Sequence, residues 1–230
     1  MVTAIIAAAG QGKRMAKGIN KAFILLNNRP ILAHTLDVFE ACAGINDIIV
    51  VVGADDIQQT RTIINTYGYR KIKEVVPGGA ERQHSIANAL KEIPVNTQLV
   101  LIHDGARPLV TQKLVMEVLL ASNETGAAIV AVPVKDTIKI GNKEGFVLET
   151  PDRTNLWAVQ TPQVFKRDII EEAYRQAEQA AVVATDDAGL VERIGVKVRL
   201  IMGDYNNLKV TTPEDLVVAE TIIRGRKQCE

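Results

Sequence analysis

The stretch TAIIAAAGQGKRMAKGINK, Thr3 to Lys21, decides how the rest of the chain is read. It starts as an apolar run of the length a buried strand needs, then breaks into small residues and the glycines Gly10 and Gly12. Lys13, Arg14 and Lys21 follow in the same loop. Small side chains at Ala7, Ala8 and Ala9 let main-chain N–H groups approach an anion, and glycine also tolerates the φ > 0 that a concave nest requires. Arg14 adds a planar cationic fork and Lys21 a point charge. The pattern is not a P-loop, because no Gly-Lys-Ser/Thr closes it. Nor is it a dinucleotide fingerprint, because Met15 stands where the third glycine belongs. Taken alone, it reads equally well as a phosphate loop or as a sharp βα turn with solvated basic residues.

Working outward, the 230-residue length suits one large domain or two small ones, with roughly three quarters of the unfolded chain's surface buried on folding. Lys plus Arg and Asp plus Glu both number 27, so the chain lacks the net basic field that attracts nucleic acid, and any cationic site must be local. Cys42 and Cys229 lie far apart without a CxxC, and Met1 leads straight into a strand with no signal peptide or transmembrane run. These features predict a cytoplasmic protein with reduced thiols and no membrane partner.

Apolar runs at Ile48 to Val52, Ile72 to Val76, Leu99 to His103, Ala127 to Val132 and Val198 to Met202 alternate with segments of helical period. That alternation predicts a mostly parallel sheet flanked by helices. The rhythm changes over residues 134–163, where short alternating pieces surround a Gly141 to Gly145 loop and predict a hairpin arm. A hairpin is marginal by itself, so the arm is expected to lie on its own domain or on another subunit. Thr212, Pro213 and Asp215 provide a hydroxyl N-cap, a proline at N1 and an acid at N3 for a last helix.

In an open α/β sheet, ligands gather at the carboxyl ends of the strands. Four loops there are polar and contain glycine or asparagine: Gly10 to Lys21, Pro77 to Ser85, His103 to Pro108 and Gly203 to Lys209. Asp104 follows directly from a strand and offers a hard oxygen ligand for Mg²⁺, or else an Asx turn before Gly105. Arg107 reads as a phosphate clamp or a surface cation. His34, His84 and His103 are scattered and make no metal set, and no GxSxG or Cys–His pair marks a nucleophile. Asp186 and Asp187 read as a helix start.

The motifs AAAGQGKRM, GGAERQHS, HDGARP, VPVKDT, TPDRTNLW, QTPQVF, TDDAGLVE and NLKVTTPEDL occur in this order. Together they make the chain resemble the 2-C-methyl-D-erythritol 4-phosphate cytidylyltransferases of non-mevalonate isoprenoid synthesis, nearly end to end. The resemblance implies a single Rossmann-like nucleotidyltransferase domain over 1–230 with residues 134–163 as a dimerisation arm, CTP as co-substrate, Mg²⁺ and a homodimer. Carried over by position, it places Ala8, Ala9, Gly10, Gly12, Gly79, Ser85 and Asp104 at the nucleotide, with Asp104 also on the metal. Arg14, Lys21 and Lys209 fall at the reacting phosphates. Arg107, Thr137, Arg153 and Thr161 face the methylerythritol phosphate, Thr137 and Arg153 reaching from the partner's arm. Two departures stand out: Asn20-Lys21-Ala22 replaces the family's usual Pro-Lys-Gln, and Ala7 replaces a common proline. Both changes are expected to loosen the loop backbone. A cytidylyltransferase for another polyol phosphate, such as ribitol 5-phosphate, is the nearest alternative; it more often has two glycines where this chain has Ala8 and Ala9. A nucleotide-binding regulator on the same fold is weakened by the intact Arg14, Lys21, Asp104 and Lys209. A Rossmann dehydrogenase is weakened by Gly53 and Ala54 at the end of the second strand, where an acid would bind ribose.

Overall fold

A computed structural model describes residues 1–10 and 20–227. In chain order the strands and helices are β1 (Val2–Ala7), β2 (Leu25–Leu26), β3 (Arg29–Pro30), α1 (Ile31–Ala41), β4 (Asp47–Val52), α2 (Ile57–Tyr67), β5 (Ile72–Pro77), α3 (Arg82–Leu90), β6 (Leu99–Asp104) and α4 (Gln112–Thr125). They continue with β7 (Ala127–Pro133), β8 (Ile140–Gly141), β9 (Val147–Glu149), β10 (Trp157–Lys166), α5 (Arg167–Gln179), α6 (Asp187–Arg193), β11 (Arg199–Met202) and α7 (Pro213–Lys227).

Seven strands form one sheet in the order β11-β7-β10-β6-β1-β4-β5. Its pairings are parallel except those of β10, which runs antiparallel to β6 and β7. The sheet is covered on both faces, which explains the continuous apolar runs. On β1 and β4, Ala4, Ile6, Ile48, Val50 and Val52 pack on one face with Leu36 and Phe39 of α1 and Val115 and Val118 of α4. Ile5, Ile49 and Val51 point to the other face, against Ile86 of α3, Ile170 of α5 and Leu190 of α6. β1 has β4 on one side and β6 on the other, so strand order reverses at β1 and a crevice opens beyond its carboxyl end.

The fold differs from the expected arm at one point. Hairpin pairing is confined to β8 and β9, Ile140 against Glu149 and Gly141 against Val147. Residues from Trp157 onward, expected within a 134–163 arm, belong to the central sheet instead. Val164 and Phe165 are fully buried, and β10 takes strand partners on both sides. The polar residues Gln160, Thr161 and Gln163 conceal this strand in the sequence, yet all three are buried as well.

α7 begins as its sequence predicts. The Asp215 carboxylate accepts from the N–H groups of Thr211 and Thr212 at 2.7 and 2.8 Å, and Thr212 Oγ1 accepts from the Asp215 N–H at 3.4 Å. α7 then packs Ala219 with Leu26, Ile31, Leu109 and Val210 in a small separate core. Val210 donates its N–H to Ala106 O at 2.8 Å, which ties the segment carrying Lys209 to the loop after β6.

Candidate active site

Register brings the site together. Ala7 at the end of β1 lies beside Asp104 at the end of β6 and Val51 of β4. Beyond them is a cavity of about 450 Å³ whose lining includes Ala7 to Gly10, Asn20 to Ala22, Gly79 to Arg82, Ser85, Asp104, Ala106 and Lys209. Of the residues expected at the nucleotide and the reacting phosphates, Ala8, Ala9, Gly10, Lys21, Gly79, Ser85, Asp104 and Lys209 therefore share one wall system. Gly12 and Arg14 lie outside the described residues.

The small residues are there partly so that the loops can pack against each other. A Cβ on Gly78 would stand 2.4 Å from Ala9 Cβ, and one on Gly105 would stand 3.0 Å from Ala8 Cβ. Both distances are too short for larger side chains, so these loops touch only because they are glycine and alanine. Ser85 Oγ accepts from the Gly79 N–H at 3.0 Å and donates to Glu81 O at 3.0 Å, which sets the turn into α3.

Asp104 is the electrostatic centre. Lys209 Nζ is 2.7 Å from its Oδ2, Arg107 Nε is 3.7 Å from the same oxygen, and Arg82 Nε is 3.4 Å from Oδ1. Burial works to raise the Asp104 pKa, but Lys209, Arg82 and Arg107 outweigh it and hold the carboxyl well below the usual carboxylate range. Arg82 is shared: its Nη1 lies 2.8 Å from Oδ2 of buried Asp187, whose Oδ1 accepts from the Tyr174 hydroxyl at 2.6 Å. The two carboxylates overcome burial and raise the Arg82 pKa further. Arg82 was not singled out from sequence, although it is a cation in the loop after a strand, the same signal that marks Lys21. Asp186 caps α6 by accepting from the Gly189 N–H, and Asp187 opens the helix as predicted while also anchoring Arg82.

Behind Asp104 is a second layer. The Asp104 N–H donates to Thr161 Oγ1 at 3.0 Å, and the Thr161 hydroxyl lies 3.0 Å from His103 Nδ1. With Nε2 3.2 Å from Arg107 O, the mutually consistent arrangement has Nε2–H donating to the carbonyl and Nδ1 accepting from Thr161. Burial pushes His103 down to about 3, so its ring is neutral at ordinary pH. Arg107 donates to Asn207 O at 2.8 Å, and Asn207 Nδ2 donates to Thr161 O and Gln160 Oε1.

Among the residues expected at the acceptor, Arg107 and Thr161 therefore occupy the packed layer behind Asp104 and are not part of the cavity lining. Thr137 and Arg153 are exposed at the base of the arm, where Arg153 Nη1 donates to Lys135 O at 2.7 Å. The loop also differs from expectation at Asn20. Its side chain bonds Ala8 O, Asp56 and the Ala22 N–H, which restrains the backbone that loss of proline was expected to loosen.

The described residues contain no group of three or more His, Cys, Asp or Glu arranged to hold a metal. Among the described residues lining the cavity, Asp104 and Glu81 carry carboxylates, and Asp104 is the one that Lys209, Arg82 and Arg107 surround. A single carboxylate fits Mg²⁺ that takes its remaining ligands from phosphates and water. No helix among the described residues is long and apolar enough to cross a membrane.

The family model for IspD, 2-C-methyl-D-erythritol 4-phosphate cytidylyltransferase, matches residues 2–225. A curated relative of that name from Alkaliphilus oremlandii (strain OhILAs) is 50% identical over 225 residues, covering 97% of this chain and 95% of its own length. Another, from Alkaliphilus metalliredigens (strain QYMF), is 50% identical over 233 residues, covering 100% and 97%. The crystal structure of 4-diphosphocytidyl-2C-methyl-D-erythritol synthase from Anaerococcus prevotii DSM 20548 superposes with a TM-score of 0.86 at 33% identity, covering 97% of this chain and 96% of that one. That of 2-C-methyl-D-erythritol 4-phosphate cytidylyltransferase from Thermus thermophilus gives 0.78 at 32%, covering 96% and 98%. With a cavity of about 450 Å³ at the reversal of strand order and a family match over nearly its whole length, the chain belongs to the 2-C-methyl-D-erythritol 4-phosphate cytidylyltransferase family.

Proposed function

We infer that the chain transfers a cytidylyl group from CTP to 2-C-methyl-D-erythritol 4-phosphate, giving 4-diphosphocytidyl-2-C-methyl-D-erythritol and pyrophosphate. The observation that carries this reading is the cluster of Lys209, Arg82 and Asp104 facing the Gly10 and Lys21 walls across one cavity. An oxygen of the acceptor phosphate attacks the α-phosphorus of CTP, and the bond to the β-phosphate oxygen breaks to release pyrophosphate. A phosphate monoester has a second pKa of about 6, so the nucleophile is already largely ionised near pH 7. No general base is required. The protein must instead bring two anions together and hold them in line.

Lys21 and Lys209, with Arg14 from the first loop, offset that repulsion and the charge that develops in the transition state. Main-chain groups of Ala8 to Gly10 and Gly79, with Ser85, hold the cytidine. Asp104 would hold Mg²⁺ that enters on the triphosphate, and the ion supplies charge neutralisation between phosphate groups. Arg82 keeps Asp104 aimed from the α6 side. Thr137 and Arg153 meet the acceptor from the arm of a second subunit, in a homodimer built on the exposed Ile140, Phe146, Val147 and Leu148. Thr161 and Arg107 serve the acceptor indirectly, by fixing Asp104 and the Lys209 segment.

The test is pyrophosphate release from CTP and Mg²⁺ with 2-C-methyl-D-erythritol 4-phosphate or ribitol 5-phosphate as acceptor. Release with the first acceptor, at a much higher kcat/KM than with the second, is the expected result. A preference for ribitol 5-phosphate, or no release with either, overturns the reading.

A further inference from the structure

Lys21 begins a short 3₁₀ turn, Lys21–Phe23, whose C-terminal side is fixed by burial of Ala22 and Phe23. On its N-terminal side, among the described residues, the Asn20 side chain makes three anchoring hydrogen bonds. Asn20 Nδ2 donates to Ala8 O and to Asp56 Oδ2, both at 2.8 Å, while Oδ1 accepts from the Ala22 N–H at 3.1 Å. A primary amide has two N–H donors and one carbonyl acceptor, so each acceptor can take its own hydrogen. The Ala8 end is itself rigid, since its N–H donates to Val51 O at 2.7 Å at the end of β4. Asp56 stands just beyond that strand, with its N–H donating to Gly53 O at 2.9 Å. Asn20 thus ties the residue before Lys21 to the carboxyl ends of two neighbouring strands, β1 and β4. Its backbone, at φ −60° and ψ 124°, has the φ that a proline ring would impose, here accompanied by side-chain hydrogen bonds.

We propose that Asn20 is a positioning residue for the transfer reaction: its three-way hydrogen bonding to Ala8, Asp56 and Ala22 fixes the direction from which Lys21 enters the nucleotide cavity. The inference rests on the role given to Lys21 under the proposed function. Without the Asn20 bonds Lys21 still carries its charge, but its backbone is held less firmly and its ammonium reaches the transition-state position less often. The loss therefore falls on kcat more than on ground-state capture of CTP.

The test is a cycle of Asn20→Ala, Lys21→Ala and the double variant, with kcat, the KM for CTP and the thermal midpoint measured for each. Asn20→Ala is expected to lower kcat about 10- to 100-fold with at most a few-fold change in KM. In the Lys21→Ala background it is expected to change kcat less than twofold, because the cation it positions is already gone. Asn20→Asp keeps the acceptor for the Ala22 N–H but removes both donors and faces Asp56 with a like charge, so it should be at least as impaired as Asn20→Ala. If Asn20→Ala does not fold, Asp56→Ala carries the same cycle with a smaller loss. Undiminished kcat in Asn20→Ala beside a crippled Lys21→Ala overturns the inference alone. An equal loss in both backgrounds, or a lowered midpoint with kcat intact, also overturns it. Undiminished kcat in Lys21→Ala overturns the catalytic reading of Lys21 and removes this inference with it.

Discussion

The end of β6 and the arm around β8 and β9 are both expected at one active site, yet they are built in opposite ways. Around Asp104 the hydrogen bonds span long stretches of chain: Thr161 to the Asp104 N–H across 57 residues, Arg107 to Asn207 across 100. In the arm the bonds are local. Asn142 Oδ1 accepts from the N–H groups of Glu144 and Phe146, and Lys139 reaches Thr150. Phe146, Val147 and Leu148 stand 60–68% exposed. Among the described residues, the first region finds its partners far along the same chain, and the second leaves apolar side chains exposed. A nucleotide half can therefore be preorganised within one chain, and under the proposed function the exposed side chains of the arm are what a second copy would cover.

The largest expected effect lies in the first region. Lys209→Ala should lower kcat on the order of 100- to 1000-fold, as for loss of a transition-state charge partner, and should raise the KM for CTP far less. A pyrophosphate assay at saturating CTP measures this, and an unchanged kcat would remove Lys209 from the reaction. Joining the two regions is the next test. If Arg153 serves the neighbouring subunit, inactive Arg153→Ala and Asp104→Ala proteins, mixed and allowed to exchange subunits, should regain activity at about a quarter of the sites. Persistent inactivity after exchange has been verified by mass spectrometry would mean that each chain completes its own site.

The smallest effect concerns stability, and again separates the two regions. His103 is held neutral when folded and titrates near 6.5 when unfolded, with burial as the main cause of its downward shift to about 3. Between those values the unfolded chain binds the extra proton, so stability should fall as pH drops below 6.5, by up to about 1.4 kcal/mol per pH unit. Asp104 acts in the same direction at lower pH. Its folded pKa is depressed, so its contribution is complete above the unfolded value near 4 and fades below it. Urea titrations at pH 7.0, 6.0 and 5.0 would show the His103 slope, and His103→Asn should flatten it. An equally steep slope in that variant would assign it to other groups.

The strand runs, the helix starts at Thr212 and Asp186 and the four loops beyond the sheet were legible in the sequence because each is encoded locally, by apolar runs, capping residues and glycine. β10 was not legible, because its buried residues Gln160, Thr161 and Gln163 are polar and their partners lie far away in the chain. Arg82 had the right residue type in the right loop. Its importance appears only with Asp104 on one side and Asp187 on the other, residues 22 and 105 positions further along the chain.

The sequence by itself determined that a glycine- and alanine-lined loop with cations follows the first strand, and which motifs accompany it in order. Tertiary structure decided what each of these residues is for. It packs Ala9 against Gly78, assigns Asn20 to the ends of β1 and β4, and spends the Thr161 hydroxyl on His103 and the Asp104 backbone. The physical reason is range: strand, turn and cap preferences act within a few residues, whereas the electrostatics of Asp104 arise from cations at positions 82, 107 and 209, which follow β5, β6 and β11 and meet only in the assembled fold.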